Sequence, residues 1–234
     1  MPKTKSHSNV VINFLSEAQA ALIIIVLNCM MFWYVYHSAL PKPPVQDLIL
    51  YPGNLLRGYL WTILTSGFMH RDLMHLFFNM LGILVFGRIV ERQLGVAKTF
   101  YVYFGALFIS MLCATMAYMM LGRNVALIGA SGALMGLISA AMLLDPFTIT
   151  YEMIIPLPVM LKAWLFFYAD FRGVLSRVND GVSHFAHIFG FLSISVLMYW
   201  LSVKERKKMT VGLIINIASF FALFLIRKWI YSYL

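Results

Sequence analysis

From Ala20 to Tyr36 the chain runs without a single charged side chain, and that run constrains the fold more than any other feature. A helix crossing a bilayer needs roughly 20 predominantly apolar residues, and segments of this kind recur along the chain at about 18–38, 75–90, 97–121, 131–144, 159–175, 182–202 and 210–229. Such repetition leaves room for a bundle of membrane helices and for no soluble domain. Composition agrees, with 62% of residues hydrophobic and 12% charged, far from the balance of a soluble domain. The expected class is an all-α polytopic membrane protein, a single membrane-embedded domain over 1–234, with six core spans over about 18–202 and a further C-terminal helix at about 210–229.

A net charge of +9 would suit a nucleic-acid binder if it were concentrated on one patch, but the basic residues are scattered between apolar runs. Their densest cluster, "KERKK" at 204–208, separates two of those runs, which is the pattern of a topological anchor. With the N-terminus on the cytoplasmic side, Lys3, Lys5, Arg88, Arg92, Lys98, Lys204, Arg206, Lys207 and Lys208 face inward. Lys42, Arg57, Arg71, Arg123, Arg172, Arg177, Arg227 and Lys228 then face outward, spread over a long loop and the C-terminus. The dense short loops set the orientation. A multi-pass protein of the cell membrane is expected, its first helix retained and no organelle address preceding it. Cys29 and Cys113 both fall inside apolar runs, so no disulfide framework or zinc knuckle is expected.

The fourth run is too short. From Ser131 to Leu144 a helix reaches about 21 Å, against a hydrocarbon core of about 30 Å. Asp145 and Pro146 end it on the inner side, so Ser131 should lie about 9 Å below the outer boundary. The preceding "GRNVALIGA" must dip into the protein to reach it, and irregular backbone at that depth is tolerated only where protein or a wet cavity shields it. A cavity open to the outer face follows. "IIPLPV" at 154–159 breaks helix geometry, which starts the fifth helix after Pro158.

Other polar residues converge on the same level. In "HRDLMHLFFNMLG", His70 lies in the loop, while His75 and Asn79 sit four residues apart and share a helix face. His187 comes seven residues after Asp180, about 10 Å along a helix, with His184 one turn earlier. Small residues at Gly132, Gly136 and Ala140 on one helix, and at Ala186 and Gly190 on another, permit close backbone approach. His187 is then placed to accept the Ser131 proton as general base and turn the hydroxyl into a nucleophile. The N–H of Ser131, with His75 and Asn79, would supply oxyanion donors. No Asp or Glu is placed by the sequence to orient the imidazole, so a dyad is expected. A lone serine or histidine in a span ordinarily packs or glues helices; here several such residues converge.

These motifs resemble the rhomboid family of intramembrane serine proteases. "GASG" at 129–132 is similar to the family's GxSG nucleophile motif, "HRDLMHLFFN" at 70–79 to its H-x4-H-x3-N segment, and "AHIFG" at 186–190 to its AHxxG base motif. Glu91 and Arg92 resemble its Glu-Arg turn, and the likeness runs from about Trp61 to Gly190. It implies a rhomboid-like bundle in six-plus-one form, Ser131 as nucleophile and His187 as base, with an oxyanion site of His75, Asn79 and the Ser131 N–H. Gly129, Gly132, His70 and Gly190 support that site. The implied activity is cleavage of membrane-protein substrates in the bilayer, with no cofactor, metal or nucleic acid. The chain departs from the pattern where Thr62 follows Trp61, and where Met135 replaces an aromatic four residues after the serine. A zinc site built on His70, His75, His184 and His187 is disfavoured, since no H-E-x-x-H motif is present. A non-catalytic client-binding relative is the other alternative.

Overall fold

The computed structural model describes residues 15–41, 43–151, 155–176 and 182–231. Lys3, Lys5, Lys42, Arg177 and Asp180, from which the depth of His187 is counted, lie outside the described residues, as do the side chains of Arg227 and Lys228. The described chain is a helical bundle: α1 (Gln19–His37), α2 (Leu73–Leu94), α3 (Val96–Met120), α4 (Ser131–Leu144), α5 (Val159–Ser176), α6 (His184–Leu197) and α7 (Val203–Tyr231). By length and composition α1, α2 and α3 suffice to cross a membrane, whereas α4 and the stretch His184–Trp200 are shorter apolar helices. The chain is a multi-pass membrane protein.

The truncated fourth helix spans the expected residues and lies at the centre, with every residue from Met135 to Leu144 buried. Helices α3, α5, α6 and α7 pack around it. Lipid offers no hydrophobic force between helices, so close van der Waals approach must hold them. The predicted small-residue faces provide it: a Cβ on Gly190 would collide with the Gly132 carbonyl oxygen, and one on Gly136 with the Ala106 methyl. Helix α7 docks in the same way, with Gly212 lodged on the Leu143 carbonyl and Asn216 Nδ2 donating to Met142 O at 3.3 Å.

Three expectations are corrected. Helix α2 begins at Leu73 and ends at Leu94, two residues earlier and four later than expected, and one wide turn at Ile83–Gly87 interrupts its α-geometry. The "KERKK" cluster is no loop but the first turns of α7, because Glu205 accepts from Ser202 N–H (2.8 Å) and from Lys98 Nζ (2.5 Å). The sixth span starts at His184, not 182, and its end tightens into a 3-10 turn at Met198–Trp200. The all-α class holds, with one short pairing between α4 and α5, where Ile149–Thr150 runs antiparallel to Leu157–Pro158. Pro158 is the last paired residue, and α5 begins at Val159, as expected. The carbonyls of Thr148 and Pro146 then accept from Val159 and Met160 N–H at 2.9 and 3.1 Å, satisfying donors that a helix start leaves open.

The end of the bundle remote from Ser131 is tied by charge. Both Glu91 oxygens accept from the first N–H groups of α1, Gln19 at 2.7 Å and Ala20 at 2.9 Å, while Glu17 pairs with Arg88 and Arg92. Lys208 donates to Gln93. Arg88, Arg92, Lys98 and the start of α7 therefore gather at one end.

Gly190→Val removes the space that α4 needs. Overpacking at such a contact costs roughly 1–3 kcal/mol, so the thermal midpoint of the detergent-solubilised protein should fall by about 2–10 °C. A midpoint within a degree of the parent's would mean that this contact does not hold the two helices together.

Candidate active site

The segment that delivers Ser131 is held by the long first loop. Leu127 N–H donates to Leu50 O at 2.8 Å, Gly129 N–H to Ser66 O at 2.9 Å, and Leu50 N–H to Ser66 Oγ at 3.2 Å. The Ser66 hydroxyl in turn donates to Leu127 O. Leu50, Ser66 and Leu127 are fully buried, so this irregular backbone finds its partners inside the protein, as bilayer depth requires. The chain then turns at Gly129, whose φ of +107° is strained for any residue with a Cβ. A side chain there would also meet the His75 ring at 2.7 Å. No side chain caps the α4 N-terminus, which leaves its first N–H groups open to a ligand.

Ser131 and His187 line one cavity of about 530 Å³, together with His75, Asn79, Arg71, Asp72, Ile128 and Ser183. No hydrogen bond joins Ser131 to His187 among the described residues. The Asp72 side chain caps α2 by accepting from His75 N–H at 2.8 Å, and Asn79 Nδ2 donates to His75 O at 3.0 Å. His75 and Asn79 thereby flank Gly129 from one face of α2, the arrangement their spacing predicts. Gly132 and Gly190, next to Ser131 and one turn from His187, mark where α4 and α6 touch. His70 lies behind the cavity, almost fully buried, its ring edge-on to His75 at 5.0 Å between centroids.

Contrary to the expectation that no Asp or Glu is placed near the imidazole, a carboxylate stands within hydrogen-bond distance of it. Nδ1 of His187 and Nδ1 of His184 each lie 2.8 Å from Oδ1 of Asp170. Asp170 sits on α5, six residues before the helix ends at Ser176, about 9 Å by helical rise and thus near the depth counted for Ser131. A signal was present in the sequence: "YADF" places one carboxylate in an apolar run, and an ionisable residue there invites a search for its partner. Among the described residues no group of three or more His, Cys, Asp or Glu is arranged to hold a metal ion.

A family model described as the Rhomboid domain matches residues 57–205, well over half of the chain. RHOMBOID-like protein 12, mitochondrial, of Arabidopsis thaliana is 28% identical over 197 residues, covering 75% of this chain and 56% of that protein. The putative rhomboid protease YdcA of Bacillus subtilis is 26% identical over 164 residues, 68% of this chain and 75% of its own length. Rhomboid-like protease 1 of Toxoplasma gondii is 32% identical over 107 residues, 43% of this chain and 35% of that protein. The chain thus spans little more than half of the Arabidopsis relative and about a third of the Toxoplasma one.

Burial, reinforced by the neighbouring His75, pushes the His70 pKa down from 6.5 to about 4. The unfolded chain therefore binds more protons between those values, and stability falls as pH drops from 6.5 towards 4. The thermal midpoint should decline across that window in the parent and less steeply in His70→Gln. Parallel curves would exclude His70 as the source.

Proposed function

The chain belongs to the rhomboid family, and on that premise we propose that it is an intramembrane serine endopeptidase with Ser131 as nucleophile and His187 as general base. Membership supports intramembrane proteolysis as the general activity. The single observation that carries the specific assignment is the shared cavity: Ser131 and His187 enter it from two helices in backbone contact, with His75 and Asn79 on its other wall. In this reading His187 takes the Ser131 proton as Oγ adds to the scissile carbonyl, then returns it to the leaving amine. Charge on the oxyanion is met by the Ser131 N–H, His75 and Asn79.

Substrates are transmembrane segments of other membrane proteins. A helix keeps its carbonyls in internal hydrogen bonds, so a substrate must unwind locally before attack. Gly, Pro or polar residues near the cut, and a small residue on its acyl side, are the expected preferences. Helix α5 is the lateral gate, and water enters from the cavity, with no metal or organic cofactor. Gathering of Arg88, Arg92, Lys98 and the α7 lysines at the opposite end supports a cytoplasmic N-terminus and a site near the outer face of the cell membrane.

Ser131→Ala should lower cleavage of a reporter membrane protein by roughly 10³-fold or more and abolish labelling by a fluorophosphonate probe. His75→Ala or Asn79→Ala should each lower kcat by about 10²-fold, and strong chelator should leave the parent rate unchanged. A Ser131→Ala variant that cleaves as fast as the parent would sink the serine-protease reading. One that merely retains client binding, alongside an inactive parent, would favour a non-catalytic holding role.

A further inference from the structure

Resting on the serine-protease reading, we propose that Asp170 is a positioning residue for His187. The reactive unit is then a Ser131–His187 pair oriented by Asp170, whose carboxylate is shared with His184. A carboxylate buried to this degree, with its side chain 9% exposed, must be compensated by donors, and among the described residues two imidazole nitrogens stand 2.8 Å from it. An ionised carboxylate only accepts. The proton of each neutral imidazole therefore sits on Nδ1, which leaves Nε2 of His187 with a lone pair for the Ser131 hydroxyl. Without that acceptor the two tautomers of His187 would compete, and one of them could not act as base.

The surroundings fit this role. Gly173 lies three residues beyond Asp170 on the same face of α5, and a Cβ there would strike the His184 ring. The glycine makes room for the second imidazole. Tethering α5 to α6 would need only one bond, and His184 provides it; the bond to His187 extends the network to the wall of the cavity that holds Ser131. Among the described residues, the charged or titratable groups around His187 are Asp170 from α5, His184 from its own helix and His75 from α2, with Arg71 and Asp72 lining the same cavity. In the reaction the Oγ–C bond forms as the hydroxyl proton moves to Nε2, and the C–N bond breaks as that proton passes to the amine. Asp170 stays ionised throughout and stabilises the transient imidazolium.

The test joins kinetics to a direct reading of the tautomer. Asp170→Asn should lower kcat by roughly ten-fold or more with KM little changed. The acid limb of the kcat/KM profile should move to lower pH, because removing a negative charge makes the imidazolium more acidic. Asp170→Glu should recover part of the rate. Unchanged kcat and an unmoved acid limb in Asp170→Asn would overturn the proposal. Should the variants fail to fold, 15N-histidine NMR of the parent still decides, with the His187 proton expected on Nδ1 at neutral pH and an Nε2-protonated ring counting against it. Failure here is separable from failure of the protease reading, because Ser131→Ala and probe labelling report on the serine alone.

Discussion

Helices α4 and α6 touch backbone to backbone at Gly132 and Gly190, and the rest of the structure is arranged around that contact. In a bilayer, apolar side chains gain nothing from leaving one another's company for lipid, so helices stay together where their surfaces approach closely. Ser131 precedes Gly132 by one residue, and His187 precedes Gly190 by three. The contact that holds the bundle therefore also sets the separation of the Ser131 and His187 side chains, and a change in one changes the other.

A second constraint is the shortness of α4. A helix that stops inside the hydrocarbon layer must be reached by backbone that is not helical, and every polar group of that backbone needs an internal partner. Leu50 and Ser66 supply those partners to Leu127 and Gly129, which is why so long a first loop is built into the protein instead of lying loose above it. The opposite end is tied differently, by Glu91 capping α1 and by ion pairs linking α1, α2, α3 and α7. One end is secured by backbone hydrogen bonds around a cavity, the other by charge.

Much of this was legible from local pattern. The limits of α4 follow from a glycine-flanked serine at one end and Asp145-Pro146 at the other, and the start of α5 from Pro158, because proline chemistry acts within a residue or two. His75 and Asn79 share a face through helical periodicity alone. What escaped depends on remote partners. The "KERKK" stretch reads as a loop by charge, yet Lys98 and Ser202 hold Glu205 in a helical start. The two-residue pairing of Ile149–Thr150 with Leu157–Pro158 is too short to leave a period, and the wide turn in α2 is marked by no proline.

The sequence by itself determined the membrane class, the limits of the short α4 that begins at Ser131 and the shared face of His75 and Asn79, since length, apolar run and spacing along one helix are local quantities. Which helix stands beside which is not local. Asp170 lies seventeen residues from His187 on a different helix, and although a carboxylate in an apolar run is conspicuous, nothing along the sequence names its partner. Only the packing of α5 against α6, with Gly173 leaving room for His184, brings its carboxylate to both imidazoles.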